Sequence, residues 1–132
     1  TDAGRAKWVE LMANQMGLPA AFVLKRRLDD GRTELAAVSA QVKDRAVVIY
    51  DDMIRTGGSL LSAAEAYKKS GAAVVYAVAT HGVFPEDSLK IIQQSGLIAG
   101  IACSNSHPRA ATLVNQGLIV ATCAPLLAAA IQ

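Results

Sequence analysis

One stretch constrains this chain more than any other. Residues 47–60 read Val-Val-Ile-Tyr-Asp-Asp-Met-Ile-Arg-Thr-Gly-Gly-Ser-Leu. Apolar, largely β-branched residues end in two adjacent carboxylates, Asp51 and Asp52. A short segment with two glycines follows, then a periodic apolar segment: Leu60, Ala63, Ala64 and Tyr67 recur at helical spacing while Ser62, Glu65, Lys68 and Lys69 face out. Lys68 and Lys69 suit the negative end of that helix, and Gly71 stops it. The order is strand, acidic pair, glycine loop, helix. Four consecutive apolar positions predict a strand over 46–50 covered on both faces.

The loop lacks the GxxxxGK[ST] and GxGxxG patterns, but its logic is related. Gly57 and Gly58 permit backbone angles that let successive N–H groups converge on an anion. Thr56 and Ser59 offer hydroxyls, the helix start adds partial positive charge, and Arg55 can fork onto a phosphate. Three or four charge-assisted hydrogen bonds, at roughly 1.5–3 kcal/mol each, give about 5–12 kcal/mol gross. Association itself costs about 4–15 kcal/mol. The loop alone therefore binds a phosphate monoester weakly, and a second set of contacts is needed. Asp51 and Asp52 are placed to supply it, toward sugar hydroxyls or a Mg²⁺ held through water.

The rest of the chain repeats the alternation. Residues 1–17 predict a helix with Val9, Met12, Ala13 and Met16 on one face, started by Thr1 or Asp2 and closed by Gly17. Residues 20–24 are apolar and predict a buried parallel strand that delivers Lys25-Arg26-Arg27 at its C-terminal end, where open α/β sheets bind ligands. Residues 34–38 predict a short edge strand. Further strands are expected over 73–79, 97–103 and 118–121. A helix is expected after Pro85, with Leu89, Ile91 and Ile92 inward, and an apolar helix over 125–131 packed on the sheet or a partner. Such alternation means an α/β fold with a mostly parallel sheet flanked by helices and right-handed crossovers.

Bulk properties narrow the function. The 132 residues suit one domain, and 52% hydrophobic content supports a core. A net charge of +2 is too small to argue for nucleic acid, and no apolar run reaches membrane-spanning length. Cys103 and Cys123, among small apolar residues and outside any CxxC pair, read as reduced and at least partly buried, in a cytoplasmic protein. The chain opens on Thr1 without a charged-then-apolar leader, as expected of a sequence beginning in mid-protein.

Residues 48–60 resemble the phosphoribosyl-pyrophosphate (PRPP) loop of the type I phosphoribosyltransferase fold, a Rossmann-like architecture. The nearest version is that of ribose-phosphate pyrophosphokinases (PRPP synthetases), which reads Asp-Asp-Met-Ile-x-Thr-Gly-Gly-Thr. Asp2-Ala3-Gly4, Lys25-Arg26-Arg27, Val75-Tyr76-Ala77 with Thr80-His81-Gly82-Val83-Phe84, and Ala124-Pro125-Leu126-Leu127-Ala128 resemble further segments of that family. The resemblance spans essentially the whole chain, but only the C-terminal half of a family member. It implies one phosphoribosyltransferase-like domain over 1–132 whose N-terminal half is absent. It implies transfer of pyrophosphate from Mg-ATP to the 1-hydroxyl of ribose 5-phosphate, and a homo-oligomer.

Carried over by residue, Arg55, Thr56, Gly57, Gly58 and Ser59 would hold the 5-phosphate, with Asp51 and Asp52 on the ribose hydroxyls or their metal shell. Lys25 and Arg27 would be catalytic, stabilising charge on the transferring group. Asp2 would help hold Mg²⁺. His81 is expected to make a structural polar contact. The chain departs from the family pattern at Arg55, often acidic there, at Ser59 for Thr, and at Arg5 and Trp8 after Asp2. The isolated stretch is expected to be inactive. Two alternatives stand beside this reading: a separate phosphoribosyltransferase that uses PRPP, and a non-catalytic subunit that binds ribose phosphates.

Overall fold

The computed structural model describes residues 6–27 and 33–131, with the backbone alone at 24–27 and 33–37. In chain order the elements are α1 (Ala6–Gln15), β1 (Val23–Arg27), β2 (Thr33–Val38), β3 (Ala46–Ile54), α2 (Gly58–Lys69), β4 (Val74–Gly82) and α3 (Ser88–Gln94). After these come β5 (Gly100–Ser104), α4 (Pro108–Thr112), a 3₁₀ turn (Val114–Gln116), β6 (Ile119–Ala121) and α5 (Ala124–Ile131). The expected α/β architecture is present. β3, β4, β5 and β6 lie side by side in that order, all parallel.

This strand order decides where the core lies. Each crossover steps the same way across the sheet, and right-handed crossovers of one direction place their helices on one face. Register agrees: Ile49 pairs with Ala77 and Ala77 with Ile101, and Ala79 pairs with Cys103. These residues and Val75 are buried together with Leu60, Ala64 and Tyr67 of α2, Leu89 and Ile92 of α3, and Ala110 of α4. The other face carries Val48, Tyr76, Val78 and Ile119, all exposed. The expectation that β3 is covered on both faces is therefore corrected: apolar runs report what a strand would bury, not what lies over it. The β3 strand also runs four residues beyond Tyr50, so the acidic pair is inside it.

Three further expectations change. Residues 20–24 do not form a strand of the parallel sheet. Val23–Arg27 pairs antiparallel with β2 in a separate two-stranded sheet. The segment leading into that sheet is tied to α2, since the Tyr67 hydroxyl donates to the Ala21 carbonyl at 3.1 Å. Ile91 points outward, because seven residues of α3 bury only Ser88, Leu89 and Ile92. Helix α5 is exposed along its length and does not pack on the sheet. The part of the N-terminal helix over 1–5 lies outside the described residues.

Candidate functional site

The site forms where β3 leaves the sheet and α2 begins. Buried Ile54 anchors the strand end, and its carbonyl accepts the Val83 N–H at 3.0 Å. The chain then turns through Arg55 and Thr56, both exposed, into Gly57. Gly57 has φ of 83°, the left-handed region that a side chain disfavours. A Cβ there would also collide with Ile92 Cδ1. The turn is thus pressed onto α3 and must be glycine for two independent reasons. Gly58 is already helical with open space around it, so only one of the two glycines is needed for its angles.

The result is a cavity of about 170 Å³ lined by Asp51, Met53 and the whole of 54–60. Arg55, Thr56, Gly57, Gly58 and Ser59 are thus brought together around one cavity. The first N–H groups of α2 have no acceptor within the helix, which suits an anion. No acidic side chain occupies the first turn of α2.

The carboxylates divide the work differently from a simple pair. Strand alternation sends Asp51 to the helix-covered face, where it lines the cavity, and Asp52 to the open face beside Tyr50. Both are half-buried, and the Asp52 N–H donates to Asp51 Oδ1 at 2.9 Å. Of the two carboxylates, Asp51 and not Asp52 lines the cavity. Two hard oxygen donors fit Mg²⁺, which binds through one or two carboxylates and otherwise keeps water or substrate phosphate. Among the described residues no group of three His, Cys, Asp or Glu side chains converges on one point.

Lys25 and Arg27 lie on β1, whose side chains here fall outside the described ones, and Asp2 lies outside the described residues altogether. His81 stands at the C-terminal end of β4, paired in register with Met53.

Two groups of residues escaped the sequence reading. Arg109, on α4, donates from Nε to the Phe84 carbonyl and from Nη2 to the Glu86 carbonyl at 2.8 Å. It clamps a turn in which Phe84 and Glu86 both take positive φ without being glycine. That turn carries Ile92 to the loop. A second group, Tyr50, Thr80, Ser104 and Ser106, forms a hydroxyl row along the same sheet end. The only sequence signal for it is the run of Ser and Thr just after each apolar strand. Burial pushes the Tyr67 and Cys103 protons up, the latter offset in part by a hydrogen bond from Gly82.

Comparison with known proteins gives consistent matches. The family model of the phosphoribosyl synthetase-associated domain matches residues 17–132. The ribose-phosphate pyrophosphokinase of Thermotoga maritima is 36% identical over 96 residues, covering 73% of this chain and 30% of that protein. That of Streptomyces coelicolor is 34% identical over 133 aligned positions, covering 99% of this chain and 41% of the relative. The crystal structure of phosphoribosylpyrophosphate synthetase from Mycobacterium smegmatis superposes with a TM-score of 0.81 at 30% identity. It covers 98% of this chain and 41% of that one. The chain thus spans well under half the length of these relatives.

Proposed function

Because the chain belongs to the phosphoribosyl synthetase-associated domain family, we propose that it is the ribose-5-phosphate-binding half of a ribose-phosphate pyrophosphokinase. The observation that carries the proposal is the 170 Å³ cavity of the 54–60 loop with Asp51 on its wall. It lies within a chain that matches proteins of that name over 30–41% of their length. In this reading 1–132 is one phosphoribosyltransferase-like domain, equivalent to the C-terminal half of such an enzyme.

The chemistry assigned to the whole enzyme is attack of the ribose 1-hydroxyl oxygen on the β-phosphorus of ATP. The bond to the α-phosphate oxygen breaks, AMP leaves, and the hydroxyl proton is released. Mg²⁺ would neutralise charge on the phosphates. The loop's part is positional: backbone N–H groups, Thr56, Ser59 and Arg55 hold the 5-phosphate at the helix start. Asp51 and Asp52 accept from ribose hydroxyls and set the 1-hydroxyl toward the sheet edge. Lys25 and Arg27 are assigned the charge of the transferring group, and Asp2 a share of the metal. Substrates are ATP and ribose 5-phosphate, and the protein works in the cytoplasm as a homo-oligomer. Among the described residues no helix is long and apolar enough to cross a membrane.

The test is calorimetry with ribose 5-phosphate, inorganic phosphate and ribose, alongside a coupled AMP-release assay. The expected result is weak but measurable ribose 5-phosphate binding, tighter than either fragment ligand, with no ATP turnover by this stretch alone. Equal affinity for phosphate and ribose 5-phosphate overturns the sugar-phosphate reading. Robust AMP release overturns the assignment of half an active site.

A further inference from the structure

The loop and Asp51 account for one side of the site. On the other side stands Asp52, half-buried at the end of β3 beside the hydroxyl row. Asp51 pairs with Ala79 and Met53 with His81, so Thr80 lies beside Asp52 on the neighbouring strand. The Thr80 side-chain hydroxyl is hydrogen-bonded to the Tyr50 hydroxyl at 3.0 Å. Its carbonyl accepts from Ser104 Oγ at 2.7 Å and from Ser106 Oγ at 2.9 Å. Ser106 Oγ in turn lies 2.7 Å from His81 Nδ1 and accepts from Ser104 Oγ at 2.7 Å. Backbone pairing between His81 and Asn105 closes the arrangement from outside.

We infer that His81 is a positioning residue of the sugar-phosphate site, acting through Ser106 and Thr80 on the strand end that presents Asp52. The inference rests on the reading of this loop as a ribose-5-phosphate site. Proton bookkeeping supports a linked unit. Ser104 and Ser106 bring two hydroxyl protons to three acceptors: the Thr80 carbonyl, one another's oxygen, and His81 Nδ1. With the ring proton on Nε2, Ser106 donates to Nδ1 and Ser104 to Thr80. With it on Nδ1, the ring donates to Ser106, Ser106 donates to Thr80, and Ser104 is free to share. In both arrangements the Thr80 carbonyl keeps a donor, and the ring decides which serine supplies it. Without the ring, Ser106 loses the partner that fixes its rotamer, and Thr80, with the Tyr50 hydroxyl bonded to it, is held less firmly on the strand next to Asp52. Because Asp52 meets the sugar rather than the phosphate, such loosening should be felt by ribose 5-phosphate and not by inorganic phosphate.

The experiment compares the two ligands by calorimetry on this chain and its variants. His81→Ala and Ser106→Ala are each expected to weaken ribose 5-phosphate by roughly three- to tenfold, the scale of one lost hydrogen bond. Inorganic phosphate should be unchanged. His81→Asn, whose amide can reach the Nδ1 position, should restore most of the loss. Unchanged ribose 5-phosphate affinity in both alanine variants overturns the inference. So does a parallel loss for both ligands with a lowered melting temperature and no rescue by Asn, which marks a merely structural histidine. If His81→Ala does not fold, Ser106→Ala, an exposed hydroxyl deletion, carries the same test. If the unmodified chain does not prefer ribose 5-phosphate to phosphate, the underlying site reading fails before any variant is compared.

Discussion

The two faces of the parallel sheet differ in what they bury, and the difference explains how this molecule holds its site. On the helix-covered face, Val75, Ala77, Ala79, Ile101 and Cys103 interlock with α2, α3 and α4. On the open face, Val48, Tyr76, Val78 and Ile119 are exposed, and α5 beyond them exposes Leu126, Leu127 and Ile131. Stability therefore comes from one side. Loop 54–60, proposed to hold the phosphate, belongs to that side, with Gly57 pressed against Ile92. The carboxylate proposed to meet the sugar, Asp52, belongs to the other. In the proposed function, anion holding is built into the packed core, while hydroxyl recognition rests on a thin polar row at its margin.

Substitutions can break this comparison. The largest effect is expected from Ile92→Ala, which empties a fully buried position beneath the loop. It should cost about 2–5 kcal/mol in urea unfolding and weaken phosphate binding as well. Val78→Ala on the open face should cost less than about 1 kcal/mol, and equal costs would end the one-sided account. Next comes Gly57→Ala, expected to cost about 1–3 kcal/mol and to remove phosphate binding, since both its φ and Ile92 oppose a side chain. Gly58→Ala, helical and unobstructed, should instead be neutral or stabilising by up to about 1 kcal/mol. A Gly58 effect as large as that of Gly57 would mean the loop is held in some other way.

Much of this was legible in residues 47–60. Leu60, Ala63, Ala64 and Tyr67 specify α2 locally, because helical periodicity is a short-range signal. Arg55 to Ser59, read from the sequence as a phosphate-holding turn, line one cavity. What was not legible depends on distant partners. Residues 20–24 look like a parallel strand because apolarity does not encode which neighbour a strand pairs with. The contact of Tyr50 with Thr80 spans 30 positions, and that of Ser106 with His81 spans 25. No periodicity marks either. Arg109 reads as an ordinary surface cation until the carbonyls of Phe84 and Glu86 are seen around it.

Smaller effects sharpen the comparison. Leu127→Ser on the exposed helix α5 should change stability by no more than about 0.5 kcal/mol. It should also reduce binding of an apolar dye, since it lies in an apolar surface of the kind that proteins seldom leave bare. A large destabilisation would show that α5 is packed. The smallest perturbation is chemical. Cys123 should react with a thiol reagent in the folded chain. Cys103, buried and with its thiol proton held more tightly, should react only on unfolding. Equal rates would show that the covered face is open.

The central claim is that loop 54–60 and the acidic pair together recognise a sugar phosphate. It is tested most directly by titrating ribose 5-phosphate and inorganic phosphate into the unmodified chain and into the variant carrying both Asp51→Asn and Asp52→Asn. The account predicts that the double variant stays folded and keeps its phosphate affinity. It should lose about tenfold or more for ribose 5-phosphate, on the order of two hydrogen bonds to charged acceptors. Ribose 5-phosphate affinity that is unchanged in the double variant would contradict it.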